Sequence, residues 1–409
     1  MPPPTPQAAR PAHAGPTRFA MYTPEFAADP YLIYAQMREQ HPTLAPVYLD
    51  PDAPATLVIG YQTAVEILHD PVRFPADPRV WQQSIPAHCP VLPMLEHRPN
   101  ALRNSGPVHA RYRAANTSAL DQVRLPGLQA MVQRIAIPLI NDICEAGQAD
   151  LLTQYAQPVA FKALNAILGC PPEIGRRVAQ GMAAIFDGVN AEAGNVMLSE
   201  ALSELVDLKR RHLGMDVTTG LLTHPAQLNQ PELIHQLVTL YGAGIEPEQN
   251  FIANTLRLIL SDERYSGDAL RGSLSVRDAL DELLRVDPPL ANYCVSYPPR
   301  PEEVDGIVLP AHQPVVISMA ACNNDPAVMS DEQAGNRAHL TWSLGPHACP
   351  AQPLAYLVAQ VAIEEIVDAL PEMELAVPAG HLTYRPGPFH RSLTGLPVRF
   401  PPSPRLHLT

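Results

Sequence analysis

The sequence predicts a mainly α-helical protein whose small β-sheets are segregated from the helices, an α+β fold in one large domain. Three observations support this fold class. The stretch from about residue 108 to the 260s has a mainly helical pattern. Short β-type runs occur near both ends of the chain and do not alternate with helices as in a doubly wound sheet. Apolar residues make up 46% of the 409 residues, enough for a large core.

Composition and charge exclude several classes of protein. Only 17% of residues are charged, which excludes global disorder. The net charge of −13 argues against binding to nucleic acid or to an anionic membrane. No run of about 18 apolar residues is present, so we expect no membrane span and a cytoplasmic protein. Residues 1–17 are Pro-rich and polar and predict a flexible tail rather than a signal peptide, and 18–409 form the domain.

The N-terminal elements follow from local signals. Asp29 and Pro30 are typical of an N-cap and a first helical residue, and they predict a helix through about Gln40. Two β-type runs, 46–49 and 56–59, flank a turn and predict a hairpin. The remaining elements, in order, are a helix at 62–68, an ordered loop at 71–107, helices with breaks near Pro171-Pro172, Gly188 and Pro225, a long apolar segment at 232–262, a helix at 276–286 ending at Pro288-Pro289, strands at 306–309 and 314–317, a helix at 351–370 and a hairpin within 378–402.

One of six scattered cysteines stands out by its position. None forms a CxxC pair, which favours reduced thiols. A turn-forming loop delivers Cys349 onto the start of an apolar helix, with Pro350 suited to the first helical position. Free N–H groups and the helix dipole there stabilise a thiolate, which can bind a metal such as haem iron. A buried structural cysteine is the alternative that this pattern leaves open.

The cysteine segment resembles the cysteine loop of the cytochrome P-450 family, Phe-Gly-x-Gly-x-His/Arg-x-Cys-x-Gly. Three positions are kept and three are substituted: Gly345, His347 and Cys349 are in register, while Trp342, Ser343 and Ala351 replace Phe, Gly and Gly. The resemblance implies haem b with Cys349 as its axial metal ligand. It also implies that Trp342 packs beside the sulfur and that His347 contacts a haem propionate. We expect the substitutions to be mild in size.

Two further segments match the family in order. Glu282 and Arg285 match its Glu-x-x-Arg pair, and a spacing of three places both side chains on one helix face. The resemblance implies that they form a buried ion pair with a structural role. His109 and Arg113 match the His-x-x-x-Arg of the helix that crosses the haem, where two cationic donors suit two propionates.

A third match lies in the long apolar segment. Ala243, Gly244, Glu246, Pro247 and Glu248 fall on the family's Ala/Gly-Gly-x-Glu/Asp-Thr motif, so the resemblance assigns them to the catalytic, distal side. Glycine and proline are costly inside a helix, at roughly 1 and 3 kcal/mol, which predicts a break with a functional reason, a groove for dioxygen. The alternative is two helices that simply meet there. Proline replaces the family's threonine, so the proton-relaying hydroxyl is absent and water, an acid or the substrate must deliver protons.

Two arginines of the family have no match in register. The nearest candidate for the arginine that completes the Glu-x-x-Arg triad is Arg337. The propionate-binding arginine expected after the Pro288-Pro289 turn is replaced by Val295, Ser296 and Tyr297, and Arg300 is displaced.

The resemblance implies an oxidoreductase that uses dioxygen and electrons from a ferredoxin and an NAD(P)H reductase. Loops expected to cover the distal pocket carry mostly polar residues: Trp81, Gln82, Gln83, His88, His97, Arg98, Asn190, Phe389, His390 and Arg391. They predict a polar aromatic or peptide-like natural product as substrate, with oxidative cross-linking of aromatic side chains as one reaction. The alternatives are hydroxylation of another small molecule and a catalytically silent, partner-stabilising homologue. A zinc hydrolase is remote, because no HExxH spacing occurs.

Overall fold

Helices dominate the chain, as the sequence predicts. The computed structural model describes residues 18–186, 191–265, 274–329 and 337–407. The helices are α1 (Pro24–Ala28), α2 (Pro30–Gln40), α3 (Tyr61–His69), α4 (Leu92–Leu95), α5 (Gly106–Asp121), α6 (Leu125–Asn141), α7 (Gln157–Leu168), α8 (Pro172–Phe186), α9 (Ala191–Arg211), α10 (Val217–Thr223), α11 (Gln230–Gly244), α12 (Glu246–Ser261), α13 (Val276–Val286), α14 (Met319–Asn323) and α15 (Gln352–Ala369). The strands are β1 (Phe19–Ala20), β2 (Leu44–Asp50), β3 (Ala53–Val58), β4 (Gln148–Asp150), β5 (Asn292–Ser296), β6 (Glu302–Val304), β7 (Ile307–Leu309), β8 (Val315–Ser318), β9 (Glu374–Leu375) and β10 (Pro397–Arg399).

The predicted N-terminal elements are confirmed. Helix α2 begins at Pro30, and the Asp29 side chain caps it by accepting the Leu32 N–H at 3.0 Å. Strands β2 and β3 pair as an antiparallel hairpin. The loop predicted at 71–107 contains two short helical pieces that the sequence pattern did not show, Trp81–Ser84 and α4.

The strands form small sheets set apart from the helices. The largest sheet has the order β1-β2-β3-β8-β5, with β1/β2 and β3/β8 parallel and the other neighbours antiparallel. The register of β5 shifts between Tyr293 and Ser296, and Cys294 within that bulge has a φ of +53°. A bulge interrupts the regular alternation of side chains along a strand, and Cys294 lies at that interruption.

The C-terminal segment forms the predicted hairpin and adds strands to a second sheet. Tyr384 and Leu393 are bridged in antiparallel fashion, and Arg385 N–H donates to the Ser392 carbonyl at 2.8 Å. Beyond this hairpin, β10 lies between β9 and β4, and β4 was not predicted. Leu393 of this hairpin is buried in the core that the helices share, and Tyr384 packs against that core.

The long apolar segment divides into two helices. Helix α11 ends at Gly244 and α12 begins at Glu246, so Ile245 alone separates them. Pro247 lies in the first turn of α12, where a missing N–H costs nothing, but it leaves the Ala243 carbonyl without its helical donor. The predicted break between Gly242 and Glu248 is thus confirmed.

The helices share one large apolar core, and the main sheet has cores of its own. Helix α15 packs against α6, α12 and α13, which positions the loop that precedes it. The predicted breaks near Pro171-Pro172 and Pro225 are confirmed, because they fall between helices. The predicted tail at 1–17 and the break near Gly188 lie outside the described residues.

Candidate active site

Backbone contacts hold the Cys349 loop tightly. The Cys349 N–H donates to the Trp342 carbonyl at 2.7 Å. Gly345 has a φ of +66°, and a Cβ there would lie 2.2 Å from the Leu68 carbonyl oxygen, so only glycine fits. Because α15 begins at Gln352, Pro350 precedes the helix, and its predicted place at the first helical position is wrong.

The start of α15 nevertheless points donors at the sulfur. The N–H groups of Ala351 and Gln352 hydrogen-bond to Cys349, and both favour the thiolate. Burial is the larger influence and raises the pKa of the Cys349 thiol above its usual value. A bound metal cation would supply the missing counter-charge for the thiolate.

The substituted residues of the loop behave differently from each other. The Trp342 ring packs edge-on against Phe251 of α12, with the ring centroids 6.2 Å apart. Ser343, where the family has glycine, has a φ of +60°. The substitution is small in size, but it places a side chain in the left-handed region, which costs roughly 1–2 kcal/mol.

Basic side chains from α5 gather against the same loop. The His109 and His347 rings lie 4.2 Å apart between centroids. Arg113 donates to the Ala348 carbonyl. Burial, together with the charges of His109, Arg113 and Arg103, lowers the pKa of His347 to about 3.

These basic groups fit an anionic ligand. His109 Nε2 is buried without a hydrogen-bond partner among the described residues. No ion pair links His109, Arg113 or His347 to a carboxylate within the described ranges. Arg113 supplies a positive charge and the two neutral imidazoles can each donate a ring N–H, which suits carboxylates such as the two propionates of haem b. The residues beside Cys349 therefore fit haem, with the sulfur for the iron and the basic groups for the propionates.

The two acids of the distal segment have opposite environments. Burial opposes ionisation of Glu246, but His390, Arg385 and Ser392 outweigh it and lower its pKa. The Ser392 hydroxyl donates to Glu246 at 3.0 Å, and Arg385 forms an ion pair with the same carboxylate. Burial alone raises the pKa of Glu248 well above its usual value, and Glu248 Oε1 has no partner among the described residues.

The small residues of the distal segment are only partly explained by a dioxygen groove. A Cβ on Gly244 would lie 3.0 Å from Leu164 Cδ2, so close packing on α7 already accounts for this glycine. Ala243 is exposed, although Tyr241 beside it is fully buried, so α11 borders open space at its C-terminal end. The groove stays a prediction.

The predicted Glu282–Arg285 ion pair is absent from the described residues. The Glu282 carboxylate lies 2.6 Å from Arg264 and accepts the Tyr265 hydroxyl at 2.8 Å. Arg285 is buried, with 9% of its surface exposed. Arg337 pairs with Asp281 at 2.7 Å and so does not complete a triad with Glu282. Arg264 follows the end of α12 and reaches Glu282 across the fold, which helical spacing could not show.

The predicted pocket residues do not share one location. His88 and Gln83 are exposed, and His88 lies 3.8 Å from Asp52, so both are surface residues. Trp81 and Phe389 are buried in the core of the main sheet. Asn190 lies outside the described residues.

Arg98 lines a cavity of about 230 Å³ between α9 and α11. The other residues around it are Asn195, Leu198, Ser199, Gln230, Pro231, Ile234, His235 and Val238. Sequence reasoning missed His235, although its position on the predicted helix places it about three turns before the break.

The fold and the Cys349 loop together define a haem-thiolate protein. Cytochrome P450 monooxygenase PikC of Streptomyces venezuelae is 31% identical to this chain over 391 residues, covering 92% of each. The 2-hydroxy-5-methyl-1-naphthoate 7-hydroxylase of Streptomyces carzinostaticus is 27% identical over 371 residues, covering 86% of this chain and 90% of the relative. The solved structure of CYP154C4 from Streptomyces sp. ATCC 11861 superimposes with a TM-score of 0.84 at 25% identity, covering 95% of this chain and 99% of the other. No family model matches the chain. The chain belongs to the cytochrome P450 family.

Membership of this family establishes the general type of reaction. The protein is a haem monooxygenase, an oxidoreductase that uses haem, dioxygen and electrons from a redox partner, like its relatives in bacterial specialised metabolism. No helix among the described residues is long and apolar enough to cross a membrane.

Proposed function

We propose that this haem monooxygenase acts on a polar aromatic or peptide-like natural product and that it cross-links aromatic side chains oxidatively. The observation that supports the substrate class is the mixed lining of the cavity between α9 and α11, where polar side chains interrupt an otherwise apolar surface. Arg98, Gln230 and His235 face this space beside three aliphatic residues. A pocket for a fatty acid or a terpene would be lined almost entirely by apolar groups.

His235 gives this cavity a defined hydrogen-bonding character. Its Nδ1 is buried without a partner among the described residues. Burial and the nearby charges of Arg98 and His97 lower the pKa of His235 to about 4, so its imidazole is neutral near pH 7. A neutral imidazole both donates and accepts, which suits a phenol, an amide or a peptide group.

Proton supply is proposed to depend on the two distal acids. The bound haem supplies the reductive activation of dioxygen, with Cys349 as the proposed metal ligand and His109, Arg113, Trp342 and His347 as proposed cofactor-binding residues. The Glu246 carboxylate is held ionised by Arg385 and Ser392, so it orders the start of α12. The raised pKa of Glu248 favours its protonated form, and Glu248 is the proposed proton donor, because Pro247 offers no hydroxyl.

We also propose that electrons come from a ferredoxin and its NAD(P)H-dependent reductase in the cytoplasm. A cavity of about 180 Å³ lies beside the cysteine loop, between the end of α5 and the start of α15. Leu120, Leu125, Pro350 and Leu354 line it together with Asp121. A partner bound there would lie close to Cys349, which keeps the electron path short.

A hydroxylation reaction is the second candidate, since one relative is named as a naphthoate hydroxylase. The two reactions differ in their atom balance. Cross-linking removes two hydrogens from the substrate and forms one bond between two aromatic groups. Together with two electrons from the redox partner and two protons from water, these hydrogens reduce dioxygen to two waters. Hydroxylation inserts one oxygen atom into the substrate and releases one water.

Oxygen-isotope labelling tests this function. Tyrosine-containing peptides and hydroxynaphthoates would be screened for a substrate-induced shift of the Soret band, and the binders turned over under ¹⁸O₂ with a ferredoxin and its reductase. We expect a peptide product that has lost two hydrogens and carries no ¹⁸O. A product with one ¹⁸O would establish hydroxylation instead. Holoprotein that binds these compounds and turns none over would favour the silent homologue.

A further inference from the structure

Arg103 is a buried arginine on the loop that precedes α5. Only 3% of its surface is exposed. Its guanidinium donates to the Met94 carbonyl and the Tyr293 hydroxyl, and it lies 5.3 Å from the Tyr293 ring centroid. Within the described residues, no carboxylate forms an ion pair with Arg103. Neutral acceptors and a ring face leave most of this buried charge uncompensated.

The surroundings of Arg103 connect it to the Cys349 loop. Tyr293 precedes Cys294 in the bulged part of β5, and Cys294 interacts with Ser343 of the cysteine loop. The Arg103 charge also acts on His347, the basic residue of that loop that stacks on His109. Arg103 therefore extends the basic cluster from a third element of the fold.

Two unpartnered hydroxyls lie at the end of β5 and on the residue that follows it. Ser296 Oγ and Tyr297 Oη are both buried, and neither has a hydrogen-bond partner among the described residues. Ser296 is one of the residues where the family's propionate-binding arginine is expected. The strand thus lacks a cation there, while the neighbouring loop provides one.

We propose that Arg103 binds a haem propionate and replaces the arginine missing from β5. A guanidinium matches a carboxylate with two parallel hydrogen bonds, and a propionate would supply the counter-charge that Arg103 lacks in the protein. The inference rests on the placement of haem beside Cys349 proposed above. It assigns a cofactor-binding role to a residue far in sequence from β5.

Haem retention measures this role without any turnover. The transfer of haem to apomyoglobin would be followed for wild-type holoprotein, Arg103→Gln and Arg103→Lys. The control is Arg79→Gln, because Arg79 lies on the same long loop but is exposed and already paired with Asp77 at 2.6 Å. Each protein would be reconstituted with haem and with haem dimethyl ester, whose propionates carry no charge.

With haem, we expect Arg103→Gln to lose the cofactor about tenfold faster than wild type or more, in line with the loss of a charge-assisted hydrogen bond. We expect the rate of haem loss from Arg103→Lys to lie between the rates of wild type and Arg103→Gln. The rate for Arg79→Gln should match that of wild type. With the dimethyl ester, the Arg103 variants should lose the cofactor at nearly the wild-type rate. If Arg103→Gln does not fold, the comparison of the two cofactors in Arg103→Lys decides the question.

A ratio of variant to wild-type loss rates that is the same for both cofactors would overturn the proposal and give Arg103 a purely structural role. Equal rates of haem loss from wild type and Arg103→Gln would overturn the proposal as well. A wild-type protein without a thiolate-type spectrum in carbon monoxide would instead overturn the haem site itself. The two failures are therefore distinguishable.

Discussion

The Ser392 hydroxyl lies 3.0 Å from the Glu246 carboxylate and 2.9 Å from Asn250 Oδ1. The C-terminal hairpin is thereby attached to the first turn of α12, and Arg385 of the same hairpin adds an ion pair to Glu246. Glu248, two residues further on, receives none of these contacts. One short stretch of helix therefore holds one acid whose pKa is lowered and one whose pKa is raised.

Glu248→Gln is predicted to stabilise the protein at neutral pH. The raised pKa means that the folded state keeps its proton while the unfolded state ionises near its usual value of 4.5, so Glu248 costs stability as the pH rises above that value. The glutamine removes this cost. The variant should unfold at a higher urea concentration than wild type at about pH 7.5, and the difference should disappear near about pH 4.

Glu246→Gln is the matched comparison and should act in the opposite direction. The lowered pKa of Glu246 contributes stability above its usual value of 4.5, and this contribution is lost as the pH falls through the folded-state pKa. The variant should therefore be less stable than wild type at neutral pH, and the two should converge in acid. If both variants shifted the urea midpoint in the same direction, the assignment of charges to the two acids would be wrong.

Cys349→Ala and Cys349→Ser are predicted to abolish the thiolate-type spectrum of the reduced protein in carbon monoxide, because only this sulfur lies at the start of α15 within the basic cluster. Cys144→Ala and Cys89→Ala, at buried sites elsewhere, should keep the spectrum and serve as controls. A thiolate-type spectrum that survived in both Cys349 variants would refute the ligand assignment.

Glu282 and Arg285 are predicted to contribute unequally to stability, because they do not pair. Glu282→Ala loses partly exposed contacts with Arg264 and Tyr265, worth about 1 kcal/mol. Arg285→Ala leaves a cavity at a buried site and should cost about 2–5 kcal/mol, a large part of a typical stability. Urea denaturation of the two holoproteins checks this. Losses of equal size would argue for a shared ion pair after all.

Local signals in the sequence were sufficient for much of the fold. A capping aspartate placed the start of α2 at Pro30, and the glycines and Pro247 placed the break between α11 and α12. The match to the cysteine loop brought together Cys349 and His347, with His109 from the neighbouring helix. Each of these inferences depended on residues close in sequence or on a family motif.

Side-chain partners distant in sequence were not predictable in this way. Glu246 is paired with residues 139 and 146 positions away, on a hairpin whose packing depends on the whole core. Helical spacing wrongly paired Glu282 with Arg285, because it could not show that Arg264 returns to the same face. The left-handed backbone conformation of Ser343 was likewise not predictable, since serine, unlike glycine, does not indicate a positive φ.

Pro247→Thr is predicted not to improve turnover. Threonine would restore the N–H that the Ala243 carbonyl lacks and would add the hydroxyl of the family motif. In this protein the raised pKa of Glu248 favours a proton on the same turn of α12, so the new hydroxyl adds a second route rather than a missing one. Proline is well tolerated in a first helical turn, so the exchange should change stability by less than about 1 kcal/mol.

The measurement for Pro247→Thr is the peroxide released per NADPH oxidised, with a surrogate ferredoxin and a substrate identified by Soret titration. The ratio of peroxide to NADPH should stay within about twofold of wild type, which corresponds to a change of about 0.4 kcal/mol in the activation barrier. Glu248→Gln should release more peroxide, because it removes the proton that Glu248 holds beside the break. A clear drop in peroxide for Pro247→Thr, with Glu248→Gln unchanged, would show that the family's hydroxyl is simply missing here. Pro247 would then be a defect, and the silent-homologue alternative would gain support.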